Sequence, residues 1–220
     1  LAGAVLFGLF QLFSSGGDQQ PPAAKPVETQ AVEQQSSFAA EAPAAERPQT
    51  ALPIATQTPS GDFDYYIVAL SWSPTYCLEE ADPRRDRAQC MASRPFAFVL
   101  HGLWPQHERG YPDRCDISNP RVPDNIIDTM MDIMPSRGLA GHQWRKHGSC
   151  TGLDQAGYFA ASRAAYAAVK IPAEFKSLST YVSTTPAKVE QAFLAANPGL
   201  SRDGVTVTCS RKHLREVRVC

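Results

Sequence analysis

Arg94-Pro-Phe-Ala-Phe-Val-Leu-His101-Gly-Leu-Trp-Pro105 sets Phe96, Phe98 and Leu100 on one side of an alternating run and Ala97, Val99 and His101 on the other. A period of two in aromatic and branched residues predicts a buried β-strand, because successive side chains of an extended backbone leave opposite faces. His101 then leaves the strand end facing away from the phenylalanines. A lone histidine at such a junction is more often structural than catalytic. A second stretch changes that balance.

His142-Gln-Trp-Arg-Lys-His-Gly-Ser-Cys150 places two histidines, a lysine and a carboxamide within one or two helical turns. In a helix running to Gly148, Gln143, Lys146 and His147 stand at i, i+3 and i+4 and share a face, with His142 at its edge beside Lys146. Trp144 points elsewhere, toward the core, and Gly148 is expected to end the helix. The shared face offers a proton acceptor, a fixed positive charge and a hydrogen-bonding amide. Those are the groups a phosphoryl-transfer site needs to take a proton and hold developing negative charge. A metal site fits less well. The zinc-protease pattern has histidines at i and i+4 with Glu beside the first, whereas here they are at i and i+5 with Gln143 beside the first. No metal and no cofactor is expected.

The two stretches, His101-Gly-Leu-Trp-Pro105 and His142 to Cys150, closely resemble the two active-site segments of the ribonuclease T2 family of secreted endoribonucleases. The resemblance extends to Phe63-Asp-Tyr-Tyr-Ile-Val-Ala-Leu-Ser-Trp72-Ser-Pro-Thr-Tyr-Cys77, to Tyr111-Pro-Asp-Arg-Cys115 and to Leu214-Arg-Glu-Val-Arg-Val-Cys220. It covers residues 62–220 and says nothing of the first sixty. It implies metal-independent cleavage of single-stranded RNA, in which the substrate's 2′-hydroxyl attacks the adjacent phosphorus and leaves a 2′,3′-cyclic phosphate. Histidine, with a reference pKa near ~6.5, can serve as base in one copy and acid in another. The roles implied are His147 as base, His101 as acid, His142 as phosphate ligand and Lys146 as stabiliser of the charged phosphorus. Gln143 would complete that face, Trp104 would stack on a base, and Gln106 and Tyr111 would join it in binding substrate. His107 and His213 match no motif and are expected at the surface.

Two positions depart from the family pattern: Gln143 stands where Glu is usual, and Ser71 where Gln is usual. The first bears on rate and pH dependence, the second on base preference. An alternative from another class is therefore a non-catalytic RNA-binding or host-interaction module on the same scaffold, impaired by Gln143.

All six cysteines lie beyond residue 61, and none forms a C-x-x-C pair. A disulfide framework outside the cytoplasm, periplasmic or secreted, is the better reading. Six cysteines permit fifteen pairings; the family's spacing implies Cys77 with Cys90, Cys115 with Cys150, and Cys209 with Cys220. The second would tie the loop after His101 to the helix end after His147 and contribute about 3 kcal/mol.

Up to Gly61 the chain has two Lys/Arg against five Asp/Glu, and beyond it nineteen against seventeen. A balance of +2 is no footprint for tight polyanion binding, although it suits an enzyme that grips a few nucleotides and releases them. Residues 1–13 are almost wholly apolar and read as the remnant of a signal peptide or a membrane anchor. Residues 14–61, rich in Pro, Ala and Gln, read as a disordered linker. The catalytic domain spans 62–220 and is expected to be truncated at its C-terminus, since family members continue past Cys220.

Within that domain Phe63 to Trp72 predicts a strand, Asp124 a cap for a helix from Asn125 to Met134, and Asp154 a cap for a helix through Lys170. Thr185 with Pro186 predicts a helix to Ala196. Gly204 to Cys209 and Leu214 to Val219 predict a hairpin. Without regular β-α alternation the class is α+β, a largely antiparallel sheet flanked by helices. A monomer is expected.

Overall fold

The computed structural model describes residues 61–82, 84–93, 95–115, 118–176 and 182–220. The expected apolar remnant at 1–13 and nearly all of the expected linker lie outside them. Four strands, β1 (Tyr65–Trp72), β2 (Phe98–Gln106), β3 (Val205–Ser210) and β4 (His213–Val219), form one sheet in the order β2-β1-β4-β3. Every pairing is antiparallel. The architecture is α+β.

The period-two pattern decides which sheet face is covered. Val68 and Leu70 of β1, Phe98, Leu100 and Leu103 of β2, and Val217 and Val219 of β4 are all in the core cluster. Against them pack Tyr158 and Phe159 of α5 (Gln155–Ala168) and Val189 and Phe193 of α6 (Pro186–Ala196), all within 1% of full burial. Two hydroxyls fasten α5 to β2: Tyr158 donates to the Leu103 carbonyl at 3.0 Å and Tyr166 to that of Phe98 at 3.2 Å. Both long helices start where the caps place them. Asp154 accepts from Gly157 N at 2.7 Å, and Thr185 from Lys188 N at 3.4 Å.

The helix expected over Asn125 to Met134 is shorter. α3 runs Asp124–Asp128, with Pro123 rather than Asp124 at its cap position. Turns follow, because the Ile133 carbonyl accepts from Leu100 N of β2 at 2.7 Å and Met134 precedes a proline, which disfavours helical backbone. Met130 and Met134 are nonetheless buried. Two short helices, α1 (Ser73–Glu79) and α2 (Arg87–Cys90), follow β1.

Disulfides join Cys77 to Cys90 and Cys115 to Cys150. The expected Cys209–Cys220 bridge is not formed, and both cysteines are free and exposed. Strand register is the reason. Cys209 lies opposite Leu214, whereas Cys220 N donates to the Gly204 carbonyl at the far end of the hairpin. Five residues of strand separate the two by about 16 Å, well beyond the roughly 7 Å limit a disulfide spans.

Candidate active site

The sheet face away from α5 and α6 carries the site, and a β-bulge shapes it. Leu70 pairs with Leu100 but Ala69 pairs with Gly102, which leaves His101 as the extra residue of β2. A bulge re-aims side chains and resets the alternation. Leu100 and Leu103 both reach the core, while His101 and Gly102 between them turn to the opposite face. Glycine at 102 is required by proximity. A Cβ there would lie 2.1 Å from Gln143 Oε1 and 2.4 Å from Trp104 Nε1.

α4 (Arg137–Lys146) brings the second motif to this face. Ser136 caps it, accepting from Leu139 N at 3.3 Å. The helix ends at Lys146, two residues before the glycine: His147 is the C-cap, and Gly148 opens a short 3-10 turn. Gly148 has an ordinary backbone angle, and its role is packing, since a Cβ would meet Trp144 at 2.5 Å and Tyr158 at 2.8 Å. Trp144 is in the core, as its position predicts, and its indole donates to the Asn119 carbonyl at 2.7 Å. The loop carrying Tyr111 is tied to the helix end. Arg114 N donates to the Lys146 carbonyl at 3.1 Å, and the Cys115–Cys150 disulfide follows immediately.

Trp104 is the hub. Its Nε1 donates to Gln143 Oε1 at 2.8 Å, its ring stacks on His147 at 5.3 Å between centroids, and His101 meets it edge-on at 5.2 Å. The Arg218 guanidinium lies 5.1 Å from the same ring. So the indole expected to stack on a base is heavily engaged by the protein, and the freer aromatic is Tyr111, half-exposed, 6.1 Å from His147 and 5.7 Å from Lys146 Nζ. Gln106 folds back, its amide donating to the Pro105 carbonyl at 2.8 Å. His142 is exposed at the edge of the helix face. His213, distant from the motifs, pairs with Glu79 at 2.6 Å.

The two central histidines differ chemically. His147 is 5% exposed, and its Nδ1 is buried with no hydrogen-bond partner among the described residues. Burial, then the charge of Lys146 and those of His142, His101 and Arg114, push its pKa down to about 3. It is therefore a neutral imidazole in ordinary buffers, the state a proton acceptor requires. The pKa of His142 is also lowered, first by partial desolvation of its ring and then by Lys146, Arg145, Arg114 and His101. His101 is placed differently: its Nδ1 lies 2.5 Å from Glu216 Oε2.

Glu216 was not singled out in the sequence. It is 4% exposed on β4, and its other oxygen accepts from Arg218 Nε at 2.8 Å. Burial raises its carboxyl pKa, but the hydrogen bond and charge of His101, followed by those of Arg218, outweigh that and hold it below the ordinary range. One signal was available. Glu216 and Arg218 share the strand face opposite Val217 and Val219, so a carboxylate and a guanidinium look away from the core together.

Gln143 is 1% exposed, and its link to His147 runs through Trp104. Glu in its place is expected to accept the same indole hydrogen bond while adding a negative charge that favours imidazolium at His147. Raising the pKa of a base moves the acid limb of the kcat/KM profile to higher pH, here by up to about one unit. A pH profile of both forms on one dinucleotide checks this. Coincident limbs would mean that Gln143 and His147 are uncoupled.

Residues 63–220 match the sequence model of the ribonuclease T2 family. A ribonuclease of Aeromonas hydrophila is 49% identical over 96 residues, covering 44% of this chain and 41% of that protein. Ribonuclease DdI of Dictyostelium discoideum is 29% identical over 194 residues, covering 78% and 79%. The chain spans under half the length of the Aeromonas relative and of a probable ribonuclease of Haemophilus influenzae, of which 47% is covered at 33% identity. Among solved structures, that of RNase NT in complex with 5′-AMP superposes with a TM-score of 0.55 at 22% identity, over 71% of this chain and 84% of that one.

Proposed function

Since the chain belongs to the ribonuclease T2 family, we propose that it cleaves single-stranded RNA by metal-independent transesterification, with His147 as general base and His101 as general acid. The observation carrying this is the chemical asymmetry across Trp104: a desolvated neutral imidazole on one side and a carboxylate-bound imidazole on the other. His147 would take the 2′-hydroxyl proton. His101 would protonate the departing 5′-oxygen. Lys146, with His142 beside it, would hold the charge that builds on the phosphorus. A base would rest on the open Tyr111 ring, while Trp104 positions His147 and Gln143.

The domain is proposed to act outside the cytoplasm, as a monomer, and the two disulfides support that compartment. Among the described residues no helix is long and apolar enough to cross a membrane. The test is digestion of an RNA oligonucleotide by the purified protein in excess EDTA, with 31P NMR of the products. Expected are fragments ending in 2′,3′-cyclic phosphate. Activity lost in EDTA and restored by a divalent ion would overturn the mechanism, and RNA bound but uncut would favour the non-catalytic module.

A further inference from the structure

Glu216 and His101 come from strands that are not neighbours. β1 runs between β2 and β4, so the two backbones are about 9.5 Å apart and the side chains must meet above β1. Small residues on β1 allow it. Ser71 lies opposite both Val99 and Glu216, and Ala69 lies opposite both Gly102 and Arg218. The bulge raises His101 into the gap above these two positions, and its Nδ1 reaches Glu216 Oε2 at 2.5 Å. A nearly buried carboxylate is costly unless paired, and here both oxygens are used, one by His101 and one by Arg218.

The geometry points to Glu216 as a positioning residue for cleavage: its carboxylate holds the His101 proton on Nδ1 and turns Nε2, the nitrogen that gives its proton to the leaving oxygen, away from the sheet. This rests on the reading of His101 as the acid. An imidazole carries its nitrogens on opposite sides of the ring, so fixing Nδ1 on Glu216 leaves Nε2 as the atom available to substrate. Arg218 keeps the carboxylate from rotating and packs on Trp104, so Glu216 and Trp104 share a brace.

Other charged or titratable groups surround His101. His142 on α4 and His147 at its C-cap both feel its charge, with Lys146 on the last turn of that helix. Tyr76, Glu80 and Arg215 line the 190 Å³ cavity that also touches His101 and Glu216, and Glu80 and Arg215 pair at 3.4 Å. Among these, Glu216 is the carboxylate in direct contact with the ring.

The informative variant is Glu216→Gln, which keeps the volume. Its amide would present oxygen to the Arg218 guanidinium and NH2 to His101, so Nδ1 would become an acceptor and the neutral ring would carry its proton on Nε2. In 15N-histidine NMR the wild-type His101 should show the Nδ1–H tautomer and the variant the Nε2–H tautomer, with the fold unchanged. On a dinucleotide, kcat should fall about 10²-fold with KM nearly constant. Glu216→Asp, which retains the carboxylate at a shorter reach, should recover part of kcat and the Nδ1–H tautomer. An unchanged tautomer in Glu216→Gln would overturn the inference. His101→Ala run in parallel keeps the two claims apart: if it stays active the acid assignment fails, whereas if it is inactive and the Gln form behaves as wild type, only the role of Glu216 fails.

Discussion

Alanine at His147 is expected to lower kcat/KM on RNA by about 10³- to 10⁴-fold, and alanine at His101 by a similar factor, with EDTA making no difference to any form. In the proposed mechanism the histidines act on different protons of one displacement, so losing either leaves a step unassisted. Unfolding should not confuse the result at His147. Its Nδ1 has no protein partner among the described residues, so removing the ring strands no group bonded to that nitrogen. Stability should even become less pH-sensitive. The native imidazole titrates near 3 against about 6.5 in the unfolded chain, so on acidification the unfolded state binds the proton first. Stability conferred by the neutral native ring is present above about 6.5 and is lost as pH falls toward 3. His147→Ala removes that term. Steady-state kinetics with urea melts at pH 7 and pH 5 check both halves. Residual activity within tenfold of wild type in either alanine form would sink the two-histidine mechanism.

Gly102→Ala should be the most damaging methyl group that can be added to the site. Its Cβ would fall 2.1 Å from Gln143 Oε1, 2.4 Å from Trp104 Nε1 and 2.7 Å from Gln143 Cδ, so the indole–amide hydrogen bond cannot survive unaltered. Gln143 is 1% exposed and has no route into water. The loss combines a broken bond, two desolvated polar groups and an overpacked site, about 3 kcal/mol in all. For a domain of this size that lowers Tm by about 6–12 °C. Displacing Trp104 also displaces the surface on which His147 stacks, and a shift of about 1 Å in a reacting group costs roughly 10²-fold. Calorimetry with dinucleotide kinetics checks this. An unchanged Tm would mean that the Trp104–Gln143 bond is not a fixed part of the site.

Local chemistry made several parts legible. Asp154 and Thr185 announce helix starts because a short oxygen-bearing side chain satisfies backbone N–H groups three residues on. Spacing over about one helical turn puts Gln143, Lys146 and His147 together. The free state of Cys209 and Cys220 was not legible in that way. The family's spacing implies a bridge, but the register of the hairpin sets the two cysteines at opposite ends.

What the sequence by itself determined is everything carried by period and by short-range hydrogen bonding: the α+β class, the strand faces that meet α5 and α6, most helix starts, and the two motifs that mark the family. Tertiary structure alone decided how those motifs work. The bulge at His101 exists in the pairing of β1 with β2, the carboxylate on its Nδ1 arrives from 115 residues away across an intervening strand, and Trp104 becomes a brace because Gln143 and His147 close over it. Periodicity states which face a side chain leaves by. Strand order and register, which depend on contacts between distant segments, state what it meets there.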